Sequence, residues 1–271
     1  MSGAMSAPVT PRAPRDWKRR AEELFTRRLL DERSPFPCVF GVDALRRGTL
    51  RFAFVDDTAE EAPGAPAPGD GMDAAARGTA KALADYAARA PSIGRRTSLV
   101  VVYRGALGPH PGSGPGALKA YRDRFWTLLQ RVHTHDTHPW PDGIPRDPES
   151  PSWEFCFAGT PMFVVVNTPA HERRRSRGFP YFCITFQPRF VFEGLEGSSA
   201  QGRNARRIIR DRLGAYDDVP PAPVLGDYGT AGNREWTQYF LEEEEGAAVP
   251  PRCPFSVHAP RAPGAQRAGE G

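Results

Sequence analysis

Residues 153–167, WEFCFAGTPMFVVVN, predict a pair of neighbouring strands. The runs 153–158 and 161–167 are rich in aromatic and β-branched side chains, which suit a pleated, half-buried surface. Gly159-Thr160 leaves only two residues between them, so the pair reads as a hairpin and the sheet as carrying antiparallel pairing. Alternation places Trp153, Phe155 and Phe157 on one face of the first strand, with Glu154 and Cys156 on the other. A third run follows at 181–186, YFCITF.

Working outward, LRFAFV at 50–55 and TSLVVVY at 97–103 add two strands, the second too short for a helix. Trp17, Ala21, Leu24, Phe25 and Leu29 recur at helical steps over 16–30. Leu118, Tyr121, Phe125, Leu128, Leu129 and Val132 do the same, and so do Ala205, Ile208, Ile209 and Leu213 over 203–213. An Ala-rich helix is expected at 74–90, stopped by Pro91, and a short one at 233–241. Strands and helices mix without regular alternation. The expected class is α+β, a mixed, mainly antiparallel sheet packed with amphipathic helices in a single domain.

That domain is expected over 16–241, interrupted by an acidic, then Pro/Gly-rich loop insert at 56–72. Residues 1–15 and 242–271 lack apolar runs and are expected to be a disordered arm and tail. The 271 residues, 39% hydrophobic and 25% charged, supply enough apolar material for one sizeable core. The net charge of +4 is modest, and part of it falls in the ends and in the run 173–177. Nucleic acid is therefore not an expected partner. No 18-residue apolar stretch predicts a membrane span, and no apolar leader predicts export. A cytoplasmic chain with four reduced cysteines is the expectation.

Several residues could carry chemistry. His133, His135 and His138 are spaced two and three apart, which does not put all three on one helix face. They read as helix-exit residues ahead of a zinc site, with Asp136 able to orient one imidazole. His171 follows the apolar strand 162–166 and is expected at a cavity edge; a polar loop histidine is the alternative. Arg173, Arg174, Arg175 and Arg177 suit carboxylates or solvent equally. Cys38 lies between Pro37 and a strand, either a reactive thiol or a small core residue, while Cys156 and Cys183 read as core. Glu154, flanked by large apolar residues, needs an internal arginine or a cationic substrate. Asp142 in a Pro/Gly loop and Gln187 in FQPR are further polar candidates.

These motifs occur in a familiar order. Phe36-Pro37-Cys38 with Gly41, His133 to Asp136 with Pro139-Trp140-Pro141, and Trp153-Glu154-Phe155 are followed by Asn167-Thr168-Pro169-Ala170-His171. Arg174-Arg175-Ser176-Arg177, Phe186-Gln187-Pro188-Arg189 and Asn233-Arg234-Glu235-Trp236 complete the series. The chain thus resembles the YqcI/YcgG-type proteins over most of 16–241. The resemblance implies haem-dependent N-hydroxylation, as in the arginine hydroxylase type of D-cycloserine biosynthesis and the guanidino amino acid type of guanitoxin biosynthesis.

On that footing the cofactor is expected to be haem b, with His171 as proximal ligand and Cys38 or His138 as substitutes. Arg174, Arg175 and Arg177 would meet the propionates, and Glu154 with Asp142 would grip a guanidinium, Gln187 assisting. Partners would be a guanidino or amine substrate and an external electron donor, with homo-oligomers allowed. A non-catalytic haem carrier or sensor is the rival reading, and a Cys38-dependent enzyme using His138 the third.

Overall fold

The computed structural model describes residues 16–57, 70–105, 116–195, 199–243 and 250–258. Five strands, β1 (Leu50–Val55), β2 (Ser98–Tyr103), β3 (Phe155–Phe157), β4 (Thr160–Asn167) and β5 (Cys183–Pro188), form one sheet in the order β1-β2-β5-β4-β3. β1 and β2 run parallel, joined through α3 (Asp70–Ala87) and the short α4 (Ala90–Ile93), while the other three pairings are antiparallel. The α+β class with a mixed, mainly antiparallel sheet is borne out.

The hairpin forms one residue earlier than the spacing implied. Phe157 pairs with Thr160, and the turn is Ala158-Gly159 with φ of 50° and 69°. Two left-handed residues match the right-handed twist of the flanking strands, and Gly159 adopts that region without the Cβ clash.

The central strands are buried on both faces, and their alternation sorts the core into two layers. Leu99, Val101 and Tyr103 of β2, with Val164, Val166, Ile184 and Phe186, pack under α3 and α5 (Ala117–Thr134). Val100, Val102 and Cys183 face the other way, towards Ala21, Phe25 and Leu29 of α1 (Asp16–Leu29) and Ala44 of α2 (Val39–Arg46). A last helix, α6 (Ala200–Tyr216), starts at Ser199, whose hydroxyl accepts from the Gly202 N–H. That bond satisfies one of the donors left over at a helix start.

Several expectations are corrected. Helix α2 was not anticipated: Cys38, an unusual cap, opens it. The helix expected at 233–241 is a single 3-10 turn, Glu235–Gln238. Residues 70–72 belong to α3, so the insert is shorter than 56–72, and its remainder at 58–69 lies outside the described residues, as does the arm 1–15.

The expected tail is not uniform. Glu242 pairs with Arg122 at 2.5 Å, and Phe255 is buried against Trp153, Phe155 and His133. The Phe255 ring is joined by a two-way Gln130–Ser256 pairing and the His258 N–H to His133, and these together offset the entropy of ordering the segment. The rest of the tail, 244–249 and 259–271, lies outside the described residues. Among the described residues no helix is long and apolar enough to cross a membrane.

Candidate functional site

On the α1/α2 face, the sheet forms the floor of a cavity of about 250 Å³. Its floor residues follow the two-residue period of strands: Ser98 and Val100 on β2, Phe163, Val165 and Asn167 on β4, Thr185 and Gln187 on β5. Phe25 and Leu29 of α1, Phe36, Cys38, Phe40 and Gly41 at the start of α2, and Ile209 and Leu213 of α6 close it from above. The lining is almost wholly apolar.

Cys38 is half-buried at the N-terminus of α2, and its sulfur accepts from the Gly41 N–H at 3.4 Å. Burial pushes the thiol up, while the backbone N–H groups of Gly41 and Phe40 and the charge of Arg177 pull it down. Sequence distance hid that arginine. Arg177 is buried and donates to the carbonyls of Tyr239 (3.4 Å) and Gln238 (3.2 Å), and no described carboxylate forms an ion pair with it. Burial, then Arg174, lowers it to about 10. Gln187, also on the floor, donates to the Ser98 hydroxyl at 2.9 Å.

His171 departs from its expected role. Its Nε2 lies 2.8 Å from the Leu241 carbonyl, which can only accept, so Nε2 carries the proton. Nδ1 then accepts from the Thr168 hydroxyl at 2.9 Å, and that hydroxyl accepts in turn from the Ala170 N–H. Both ring nitrogens are engaged, and His171 lines neither cavity of this region. The turn after β4 folds the ring onto Phe240 instead of into open space. Gly178 permits this: a Cβ there would sit 2.5 Å from the His171 carbonyl oxygen.

The arginine run divides by role. Arg174 is buried, donating to the Glu242 and Pro220 carbonyls beside Asp217. Arg175 is exposed over the Tyr216 ring. The Glu243 carboxylate gathers the backbone N–H groups of Glu172, Arg173 and Arg174. Asp217 takes the N–H and hydroxyl of Ser176. Of the three arginines expected at a cofactor, only Arg177 reaches the cavity.

Glu154 is fully buried and bound through two oxygens to Arg189, which also meets Glu235 at 3.1 Å. The internal arginine, one of the two partners expected for this carboxylate, is therefore Arg189. Burial raises Glu154 to about 8 against the pull of Arg189. Asp142 is exposed and lines neither cavity. His138 stands beside Asp136, as expected for an oriented imidazole, but largely in solvent. His133 is buried and accepts from the His258 N–H at 3.1 Å, so it packs the core and does not cap α5. No group of three potential metal ligands among His, Cys, Asp and Glu occurs among the described residues.

The neutral state of His171 carries a pH signature. Burial lowers it from 6.5 to about 3. The unfolded chain therefore takes up a proton that the native fold refuses, and stability falls as pH drops from 6.5 towards 3, by on the order of 4 kcal/mol. Glu154 acts in the opposite sense, since its raised value costs stability as pH climbs from 4.5 through about 8. Urea midpoints measured from pH 3 to 8 should rise, level off and then fall. In His171→Gln the acid limb should flatten, and an unchanged limb would reassign it.

The fold and the site define a single-domain α+β protein whose sheet floors an apolar, thiol-bearing cavity. Over residues 25–256 the sequence matches the model of the YqcI/YcgG family, and the chain belongs to that family. It is 43% identical over 241 residues to the uncharacterised YcgG protein of Bacillus subtilis (strain 168), covering 89% of this chain and 88% of the relative. Identity to YqcI of the same organism is 40% over 243 residues, covering 88% and 87%. DcsA of Streptomyces lavendulae, provisionally named an N(omega)-hydroxy-L-arginine synthase, is 34% identical over 247 residues, covering 89% and 84%. No solved structure matches the chain significantly.

Proposed function

We propose that this protein is a haem-dependent N-oxygenase of a guanidino compound, with the cofactor in the apolar cavity and Cys38 as its iron ligand. The observation that carries the reading is the convergence of Cys38 and Arg177 on one apolar cavity. A soft sulfur donor, apolar walls and a buried guanidinium that no carboxylate among the described residues pairs are a donor set that suits an iron porphyrin and its propionates. The name of DcsA supports the substrate class: arginine or a close relative, hydroxylated at a guanidino nitrogen.

Iron porphyrin, when bound, supplies oxygen activation, which amino-acid side chains do not. The chain's own residues hold and tune the site. Burial holds the Cys38 thiol up, and the Gly41 N–H, the start of α2 and Arg177 offset part of that, so the rest of the pull towards thiolate would have to come from iron. Arg177 balances negative charge in a region that water does not solvate. The aromatic walls exclude water, and Gln187, oriented by Ser98, presents a fixed amide to whatever enters. In the overall reaction one atom of dioxygen enters the N–H bond and the other leaves as water. An external donor supplies two electrons and two protons.

Hemin titration of the full chain should produce a Soret band. Incubation of the loaded protein with L-arginine, dioxygen and a reductant should then add the mass of one oxygen atom. A band without product across a panel of guanidines and amines would make the protein a haem carrier. A folded, colourless preparation would end the reading.

A further inference from the structure

Beside the apolar cavity lies a second one of about 400 Å³, sharing with it the walls Phe40, Phe163, Phe192 and Arg206. Its character is different. Arg189, Glu193, Asp227, Tyr228 and Glu235 line it, so charged groups stand where the first cavity has hydrocarbon. We infer that this polar cavity receives the cationic end of the substrate, with Glu235 as its principal carboxylate and Glu193 at its rim. The inference rests on the guanidino reading above and assigns that substrate's binding residues.

Arg189 is the guanidinium shared by the two buried carboxylates Glu154 and Glu235, at hydrogen-bond distance from both. Asp227 is matched by Arg206 at 2.8 Å. Glu193 is exposed, and among the described residues its carboxylate forms no ion pair, while Arg95 donates to its backbone carbonyl at 3.3 Å. Glu235 turns its second oxygen to the neutral amides of Asn233 and Gln238, so the two buried carboxylates Glu154 and Glu235 have one full positive charge, Arg189, between them. A buried carboxylate left without a full counter-charge either binds a proton or a cation. Burial raises both Glu154 and Glu235 even with Arg189 in place, consistent with a pair that one guanidinium does not fully neutralise.

The cavity is also shaped for a flat cation. The Tyr228 ring lies 3.5 Å from the Arg189 guanidinium carbon, and its hydroxyl is fixed by a 2.7 Å bond to the Ser152 carbonyl. Phe192 stacks from another side at 5.6 Å. Planar guanidinium groups pack well on aromatic faces and on each other's paired carboxylates. A second guanidinium entering here would meet the same surroundings that Arg189 meets, with the shared aromatic walls leading to the apolar cavity.

Calorimetric titration of the full chain without hemin tests this with three probes: L-arginine, agmatine, which lacks the carboxylate, and L-citrulline, the neutral ureido counterpart. Arginine and agmatine should bind, and citrulline should bind at least about tenfold more weakly, the worth of one charged hydrogen bond. Arginine binding should release protons, seen as a dependence of heat on buffer ionisation enthalpy, because a second cation beside Glu235 lowers carboxylates that burial has raised.

Glu235→Gln should weaken arginine about tenfold. Glu193→Gln, on an exposed rim position where the fold is safe, should weaken it about threefold and leave citrulline unchanged. Equal affinities for arginine and citrulline, no binding of either cation, or arginine binding unaltered in Glu193→Gln and in folded Glu235→Gln would overturn the assignment. The two readings separate cleanly. Selective cation binding by a chain that takes up no hemin leaves the receptor standing and removes the oxygenase. Turnover with unselective binding does the reverse.

Discussion

Cys38→Ala is expected to abolish the spectrum of bound hemin or shift it to that of a weakly held, non-thiolate form, with hemin affinity reduced more than about tenfold. Cys38 caps α2 through a single sulfur-accepted bond, so the substitution costs only about 1 kcal/mol of stability and the fold survives to be measured. Cys38→Ser preserves the cap with an oxygen and should still lose the thiolate spectrum, which separates ligation from folding. His171→Gln is the counterpart: it should leave the hemin spectrum in place while lowering the urea midpoint, because that ring holds Leu241 and Thr168 together. A spectrum unchanged in both Cys38 variants would remove the sulfur from the iron.

Arg189→Ala is expected to be the most damaging single substitution. It would strand Glu154, with no exposed surface, and Glu235, 4% exposed, as buried carboxylates without their shared cation. Removing one partner of a buried ion pair costs about 3–5 kcal/mol. That is a large part of the roughly 5–15 kcal/mol that holds a domain folded. Denaturant midpoints should fall accordingly at pH 7 and recover progressively as pH drops towards 4.5, because burial, no longer offset by Arg189, makes the folded chain hold protons that the unfolded chain gives up. Replacing the whole triad, Glu154 by Leu, Arg189 by Met and Glu235 by Gln, should regain much of the loss, since no buried charge then lacks its partner. A loss under about 1 kcal/mol in Arg189→Ala would show that the triad is far better solvated than its burial indicates.

Much of the fold is legible locally. β-branched runs at 97–103 and 161–167, the presence of a two-residue hairpin after Trp153–Ala158 (its turn in fact one residue earlier than the spacing implies), and the three- and four-residue steps of α1 and α5 are periodic signals that a linear reading detects. The sharing of one cavity floor by Ser98, Val100, Phe163, Val165, Thr185 and Gln187 also follows from alternation, once the strand order is known. Helix α2 escaped that reading because eight residues opened by a cysteine carry neither a usual cap nor a full amphipathic repeat.

The candidate site was legible in its residue types more than in its pairings. Glu154 announced a need for a counter-charge by lying among aromatics, but only the packing shows that Arg189 and Glu235 answer it. His171 was read as facing a cavity edge because it follows a buried strand. The carbonyl of Leu241, far along the chain, claims its Nε2. Among neighbouring arginines, composition could not tell Arg177, inside the cavity, from Arg175, outside it.

The amino-acid order alone thus carries most of the elements, though not α2, together with the antiparallel hairpin, the α+β class and the family motifs, because each depends on side chains a few positions apart. Tertiary structure alone decided which face of the sheet is hollow, that Cys38 and Arg177 meet there, and that His171 does not. Those outcomes depend on strand order and on helix docking, which bring together groups whose separation along the chain carries no periodic trace.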